Sequence, residues 1–259
     1  MELIDTHAHL TFEELESRID DVLARSRAAG VVEWITIGTD RGHIEKVLRL
    51  IPRYPSLWAG LGFHPHYANA ITEEDLAYLK QALQTERVVA VGETGLDYHY
   101  DNVVPDNQKR LFRAHLDMAA ALNKPVIIHT RQAFDDTMEI LSDYEGKLCN
   151  VVIHCYGGDA EKTRYVLDKG YYVSFTGTVT FKRSDALRQV AATIPAERIM
   201  LETDCPYISP EPMRRVQPNE PALMIHTAQC LAALHNMTPE RFGQITAAAS
   251  RTFFRLPAP

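Results

Sequence analysis

Three features that would set this sequence apart from ordinary globular proteins are missing. The four cysteines, Cys149, Cys155, Cys205 and Cys230, form no Cys-x-x-Cys pair, which excludes the common thiolate zinc and redox motifs of that spacing. No apolar run approaches the roughly 18 residues that cross a bilayer, and the N-terminus lacks the basic start and apolar run of a signal peptide. We therefore expect a soluble, cytoplasmic protein with reduced thiols.

Positive charge is also in deficit. Lys and Arg number 27 against 34 Asp and Glu, giving a formal net charge of -7, which argues against a protein that coats nucleic acid nonspecifically. An enzyme that binds the end of a strand needs only a local basic patch, so nucleic acid stays open as a substrate. Hydrophobic residues make up 46% and charged residues 24% of the chain, which allows a sizeable core.

Short Val- and Ile-rich runs alternate with amphipathic stretches along the whole chain, the pattern of repeated βα units around a buried parallel sheet. Strands are predicted over Leu3–Thr6, Val31–Gly38, Leu57–Gly62, Val88–Gly92, Pro125–Ile128, Val151–Ile153, Tyr171–Phe175 and Arg198–Leu201. Helices are predicted over Arg18–Ala29, Gly42–Ile51, Glu73–Leu83, Asp106–Leu122, Ala133–Asp143, Asp159–Asp168, Ser184–Ala192 and Glu220–Leu234.

No low-complexity stretch, charge block or linker-like run divides the chain. Eight βα units therefore predict an α/β fold, a single (β/α)8 TIM-type barrel domain over residues 1–259, with a doubly wound sheet as the alternative. The longest irregular segments, 97–105 and 206–219, directly follow strands and are expected to overhang the barrel mouth. A last helix over Pro239–Ala249 is expected to pack on the outside or bottom.

Enzymes of this fold carry their chemistry where strands run into the following helices, and polar residues concentrate there in this sequence. Six of the eleven histidines lie at the carboxyl ends of predicted strands, directly after the strand or within four residues of it. Alternate side chains of a strand share a face, so His7 and His9 lie on one side, and Glu93 continues the face of Val89 and Val91. The strand-end candidates are His7, His9, His64, Glu93, His129, His154, Glu202 and Asp204.

Four of these imidazoles and two carboxylates exceed the ligands of one tetrahedral ion, but they suit two ions that share a ligand. The first ion is assigned to His7, His9, Glu93 and Asp204, and the second to Glu93, His129 and His154. Glu93 is the bridge because a carboxylate has two oxygens and can reach two cations about 3.5–4 Å apart. The two divalent ions are expected to be Zn, Mn or Mg, with imidazole-rich ligation favouring the first two.

The alternative to a metal centre is a barrel whose polar strand ends are solvated and bind nothing. Single residues also have ordinary interpretations as loop, core or surface groups, which we assign to His43, His66, His99, His115, His226 and His235. By strand parity Cys155 and Cys205 point toward the helices, and we interpret both as structural thiols.

Six strand-end motifs occur in order along the chain: Asp5-Thr6-His7-Ala8-His9-Leu10, Gly62-Phe63-His64-Pro65, Gly92-Glu93-Thr94-Gly95-Leu96-Asp97, His129-Thr130-Arg131, His154-Cys155-Tyr156 and Glu202-Thr203-Asp204-Cys205-Pro206-Tyr207. Together they resemble the motifs of the TatD family of metal-dependent hydrolases. The resemblance covers nearly the whole chain, and the run Gly-Glu-Thr-Gly-Leu-Asp is highly specific.

This resemblance implies a metallo-dependent hydrolase barrel with two divalent ions and, for several members, a deoxyribonuclease that trims DNA from the 3′ end. It implies the six metal ligands assigned above, and it places His64 and Arg131 beside the substrate phosphate. Tyr156-Gly157-Gly158 departs from the family's usual Phe, small hydroxyl residue and Gly, which affects substrate contacts rather than the ions. The intact pair His7 and His9 separates the chain from the family's name-giving branch.

The predicted function is hydrolysis of a phosphodiester at a nucleic-acid end, 3′ exonuclease-like, by a hydroxide held between the two ions. Asp204 is the predicted general base and acts with the bridging Glu93. Arg131 binds a phosphate oxygen, and His64 binds a second oxygen or protonates the leaving group. Glu202 is expected to fix an imidazole tautomer from behind.

Two other functions stay open at this point. The same ions could serve an ester or amide hydrolase such as an aminoacyl-tRNA deacylase, and a metal-holding scaffold without turnover is the alternative outside enzymes. DNA is the expected partner; no membrane and no obligate protein partner are expected, and the protein is taken to be a monomer.

Overall fold

The computed structural model describes residues 1–100 and 102–257. Within these ranges the strands are β1 (Leu3–Ala8), β2 (Val31–Gly38), β3 (Leu57–Leu61), β4 (Val88–Asp97), β5 (Val126–Arg131), β6 (Val151–Ile153), β7 (Tyr172–Phe175) and β8 (Ile199–Leu201). They form one sheet in the order β1 to β8, and helices connect consecutive strands. The predicted fold class is confirmed: eight parallel strands form a nearly closed barrel.

Apart from the helix predicted from Glu220, which begins at Met224, the helices begin within about one residue of their predicted starts. They are α1 (Glu13–Glu16), α2 (Ile19–Ala28), α3 (Arg41–Leu50), α4 (Glu73–Ala82), α5 (Pro105–Leu122), α6 (Phe134–Ser142), α7 (Ala160–Asp168), α8 (Asp185–Ala191), α9 (Met224–Leu234) and α10 (Pro239–Phe254). The short α1 was not predicted. Asp40, Thr72 and Asp159 cap α3, α4 and α7 by accepting from backbone N–H groups of the first turn. Over residues 1–100 and 102–257, no helix has both the length and the apolar character that a membrane crossing requires.

By their internal packing the described residues fall into two compact units, the first of which comprises residues 1–36 and 155–257. Helix α10 covers the amino-terminal end of β1 in this unit. A side chain at Gly243 would lie 2.9 Å from the backbone oxygen of Glu2, and Arg251 forms ion pairs with Glu2 at 2.6 Å and Glu33 at 2.9 Å. The helix ends at Phe254 rather than at the predicted Ala249, because Phe253 and Phe254 continue its buried face.

The second unit comprises residues 37–154 and contains β3 to β6. Strand β4 runs five residues past its predicted end at Gly92, and its pairing with β5 shifts register between Val91 and Thr94. Gly92 and Gly95 have φ values of +141° and +142°, and a Cβ at Gly95 would lie 2.0 Å from the backbone oxygen of His129. The side chains of Val89, Val91 and Glu93 were predicted to alternate regularly on one face of β4, and the register shift interrupts this alternation between Val91 and Thr94. At Gly92 and Gly95 the strand comes so close to β5 that only glycine fits. The single domain over 1–259 stays a prediction.

Candidate metal centre

The first cluster of potential ligands, here called the β1–β8 cluster, consists of His7, His9 and Asp204. Nε2 of His9 lies 3.2 Å from Oδ1 of Asp204, and Nε2 of His7 lies 3.6 Å from the same oxygen. One ligand atom from each residue lies within 4.8 Å of the others. Both histidines are buried, and the Asp204 side chain is 14% exposed. Three of the predicted ligands thus meet at the carboxyl ends of β1 and β8.

Backbone hydrogen bonds between the ends of these two strands hold the β1–β8 cluster in place. The N–H of Asp204 donates to the backbone oxygen of His7 at 2.9 Å, and the N–H of His9 donates to that of Cys205 at 2.8 Å. Asp204 itself has a left-handed φ of +54°, a conformation that Asp tolerates better than most residues. The carboxylate is therefore turned toward the histidines by a local backbone bend.

Asp5 supports this arrangement, although it was not among the predicted site residues. The carboxylate is fully buried; it accepts from the hydroxyl of Thr203 at 2.6 Å, from its N–H at 3.0 Å and from the N–H of His7 at 3.3 Å. Burial raises the pKa of Asp5 to about 7, against the lowering effect of these hydrogen bonds. Asp5 therefore fastens the segment that leads to Asp204 onto β1.

Glu202 is buried beside the same cluster. Its Oε1 accepts from the N–H of Cys155 at 2.6 Å and its Oε2 from the hydroxyl of Ser174 at 2.7 Å. A carboxylate oxygen of Glu202 lies within 4.8 Å of a ring nitrogen of His7. That Glu202 fixes the tautomer of an imidazole stays a prediction. Such a role needs a carboxylate of fixed orientation, and the two hydrogen bonds provide it.

The second cluster, here called the β3–β6 cluster, surrounds one oxygen of Glu93. Its Oε1 lies 2.8 Å from Nδ1 of His129, 3.0 Å from Nε2 of His154 and 3.6 Å from Nε2 of His64. The Glu93 side chain is 5% exposed. The predicted ligands of the second ion are thus brought together, and His64, predicted as a substrate contact, lies with them.

Charge in the β3–β6 cluster is balanced between the carboxylate and the imidazoles. Burial alone would raise the pKa of Glu93, but the nearby His154, His64 and His129 hold that pKa well below its ordinary range. Burial likewise opposes protonation of His129, yet its hydrogen bonds with Asp97 and Glu93 leave the pKa of His129 raised. For His64 burial dominates and lowers the pKa to about 3. The cluster therefore keeps a carboxylate ionised in a buried place.

Asp97 and His66 extend this cluster, although neither was among the predicted site residues. Oδ2 of Asp97 lies 2.9 Å from Nε2 of His129 and 3.0 Å from Nε2 of His66. Ligand atoms of His64, His66 and Asp97 lie within 4.8 Å of one another. His66 lies in a loop, in the short turn Pro65–Tyr67 as predicted, but its imidazole is also paired with a carboxylate that holds His129.

The chain holds His64 and Arg131 at the ends of β3 and β5. The residue before His64, Phe63, donates its N–H to Nε2 of the buried His115 at 2.9 Å, so the imidazole of His115 anchors this loop from the core. Arg131 is exposed, and its guanidinium lies 5.3 Å from the ring centroid of Tyr100, whose side chain is 49% exposed. An exposed guanidinium in this place can bind an anion.

The donor atoms of both clusters fit a divalent transition ion. An ion with ligand bonds of about 2.0–2.2 Å separates neighbouring ligands by about 3.4 Å when tetrahedral and about 3.0 Å when octahedral. The observed separations are 3.2 and 3.6 Å in the β1–β8 cluster and 2.8, 3.0 and 3.6 Å in the β3–β6 cluster. Imidazole nitrogens mixed with carboxylate oxygens suit Zn²⁺ and Mn²⁺ better than Mg²⁺.

A parallel α/β barrel with imidazoles and carboxylates gathered at the carboxyl ends of its strands defines the class of metal-dependent hydrolase barrels. The chain belongs, more particularly, to the TatD family: the family described as TatD related DNase matches residues 4–255. The resemblance found in the motifs is confirmed, and the protein is a metal-dependent hydrolase of this family.

Relatives of known sequence and structure cover nearly the whole length of the chain. The uncharacterized metal-dependent hydrolase YabD of Bacillus subtilis is 38% identical over 254 residues, which is 98% of this chain and 99% of that protein. A protein of Erwinia billingiae named 3'-5' ssDNA/RNA exonuclease TatD is 35% identical over 261 residues, 99% and 100% of the two chains. The crystal structure of YJJV, a TatD homologue from Escherichia coli, superposes with a TM-score of 0.93 at 30% identity over 98% of each chain.

Proposed function

We propose that this protein is a metal-dependent phosphodiesterase that trims single-stranded nucleic acid from its 3′ end, using two divalent ions. The observation that carries the proposal is the convergence of three imidazoles on one buried oxygen of Glu93, within 2.8 to 3.6 Å. The name of the Erwinia billingiae relative, a 3'-5' ssDNA/RNA exonuclease, supports nucleic acid as the substrate class.

In this proposal the two clusters serve two ions that share Glu93. All three imidazoles of the β3–β6 cluster approach the same oxygen, Oε1, and the second oxygen of a carboxylate can ligate another cation. The proposed ligands of the first ion are His7, His9, Asp204 and Glu93, and those of the second are Glu93, His129 and His154. The parallel sheet supports the assignment, since each of these residues lies in the carboxyl-terminal half of a strand or within three residues beyond it.

The ions, when bound, supply the Lewis acidity that lowers the pKa of water toward neutrality and offsets charge on a phosphate. Asp204 orients the attacking water and accepts its proton as general base, because its Oδ1 already faces both histidines of its cluster at 3.2 and 3.6 Å. The left-handed backbone at Asp204 keeps that oxygen aimed inward.

Two residues contact the substrate phosphate in this proposal: His64 of the β3–β6 cluster, and Arg131 at the end of β5. Arg131 presents the forked donors of its guanidinium to a phosphate oxygen, in keeping with its exposure at the end of β5. His64 is neutral near pH 7, since burial lowers its pKa to about 3. A neutral imidazole with one N–H donates a hydrogen bond to a second phosphate oxygen, so this role is favoured over transfer of a proton from a charged His64.

The proposal is tested by incubating the purified full chain with 3′-end-labelled and 5′-end-labelled single-stranded DNA and RNA, with Mg²⁺, Mn²⁺ or Zn²⁺, beside an aminoacylated tRNA. Metal-dependent shortening from the 3′ end, abolished in Asp204→Asn, is expected. Rapid loss of the aminoacyl ester without shortening of any strand would replace this function by the deacylase alternative. A single assay series thus separates the two substrate classes.

A further inference from the structure

Asp97 is a buried carboxylate that the proposed mechanism does not use. It is the last residue of β4, and its side chain is 1% exposed. Its Oδ2 lies 2.9 Å from Nε2 of His129 and 3.0 Å from Nε2 of His66, and its Oδ1 accepts from the N–H of His99 at 2.9 Å. One carboxylate oxygen is thus hydrogen-bonded to two imidazoles, that of His129 in the β3–β6 cluster and that of His66 beside it.

The backbone of Asp97 is also fixed. Its N–H donates to Oε1 of Gln108 at 2.7 Å, and Nε2 of Gln108 donates to its backbone oxygen at 2.8 Å. Gln108 is a buried residue of α5. Because both the main chain and the side chain of Asp97 are hydrogen-bonded, the position of its carboxylate is fixed. The orientation of the His129 imidazole is therefore set by the carboxylate.

The chemistry of the two groups then decides which ring nitrogen of a neutral His129 bears the proton. An ionised carboxylate only accepts hydrogen bonds, so Nε2 of His129 must be the donor to Asp97, and Nδ1 keeps its lone pair. That lone pair faces Oε1 of Glu93, a second acceptor, at 2.8 Å. Two acceptors at this separation repel each other unless a proton or a cation lies between them, and a metal ion with bonds near 2.1 Å to both satisfies them together.

We propose that Asp97 is a positioning residue that holds His129 in the Nε2–H tautomer and so directs its Nδ1 lone pair to the second ion. The inference rests on the proposed function, because it requires an ion between Glu93 and His129. Metal-ligating histidines often donate their other N–H to a carboxylate in this way, which fixes the ring and raises its basicity. In this role Asp97 acts through His129.

Asp97→Asn tests this role, since an amide is the same size but can turn its NH₂ group toward Nε2 and remove the selection. Zn²⁺ affinity of the full chain is measured by competition with a chelating dye. The expected result is a weaker second ion by about 10- to 100-fold with the first ion retained. Asp40→Asn is the matched control, because Oδ2 of Asp40 pairs with Nδ1 of His43 at 2.6 Å and His43 lies outside the two clusters.

A measurement on the unmutated protein decides the question even where Asp97→Asn does not fold. In the Zn²⁺-loaded chain labelled with ¹⁵N-histidine, His129 should show a slowly exchanging proton on Nε2 and a metal-shifted Nδ1. A proton on Nδ1, or unchanged Zn²⁺ affinity in Asp97→Asn, overturns the role of Asp97 while the two-ion function stands. A wild-type chain that binds no ion at Glu93 and His129 overturns both.

Discussion

Acid should weaken the fold through His115, and the structure sets the size of the effect. Burial lowers the pKa of this histidine from 6.5 to about 4, although its hydrogen bond to Leu111 acts in the opposite direction. Nε2 of His115 accepts from the N–H of Phe63 at 2.9 Å, and Nδ1 donates to the backbone oxygen of Leu111 at 2.7 Å. Protonation at Nε2 would break the bond that anchors the residue preceding His64.

Whether stability rises or falls with pH depends on which state, folded or unfolded, binds more protons. Between about pH 6.5 and pH 4 the unfolded chain protonates this imidazole and the folded chain does not, so stability falls as the pH falls. Each pH unit in that window costs about 1.4 kcal/mol, or about 2 kcal/mol between pH 6.5 and pH 5. At about pH 7.5 and above the imidazole is almost entirely neutral in both states, and its effect on stability vanishes.

The assay is urea unfolding at about pH 5 and about pH 7.5 for the wild type and His115→Gln. The loss of unfolding free energy on acidification should be smaller in His115→Gln by about 2 kcal/mol, since Gln does not titrate. His226→Gln, which changes a partly exposed histidine of α9, should keep the full wild-type loss. An equal loss in wild type and His115→Gln would refute the reasoning.

Three other changes test the site itself. Glu93→Gln should weaken the binding of both ions by at least about 10- to 100-fold, whereas His154→Gln should weaken the binding of the second ion only. Calorimetric titration with Mn²⁺ measures both affinities and so distinguishes a ligand shared by the two ions from a ligand of one ion. Loss of only one ion in Glu93→Gln would argue against a shared Glu93. Asp204→Asn should abolish strand shortening yet keep the melting temperature within a few degrees; retained activity would disprove the general-base role. Gly95→Ala should destabilise the protein by about 1–3 kcal/mol or more, because its Cβ would lie 2.0 Å from the His129 backbone oxygen; unchanged urea unfolding would contradict the close approach.

Much of the site follows from hydrophobic periodicity alone. A Val- and Ile-rich run predicts a buried strand, and the polar residue that follows such a run must lie at the carboxyl edge of a parallel sheet. That reasoning is enough to bring His129 and His154 to Glu93, and Asp204 to His7 and His9. It needs no knowledge of contacts, because parallel strands in sequence order place their ends side by side.

Two features lay beyond this reasoning for different physical causes. The strand β4 was predicted to end at Gly92. In the structure Gly92 and Gly95 let β4 pass close to β5, and the strand continues to Asp97. Counting two residues onward from Glu93, and again from Gly95, would have indicated Asp97. Asp5 gave no such signal, because its partner Thr203 is 198 positions away and only the folded chain brings them together.

A crystal structure of the chain loaded with Mn²⁺, with the ions located by anomalous scattering, tests the central claim most directly. The account predicts two peaks about 3.5–4 Å apart, one beside His7, His9 and Asp204 and the other beside His129 and His154, with one oxygen of Glu93 bound to each. A Glu93 carboxylate that ligates only one ion, or none, would contradict it.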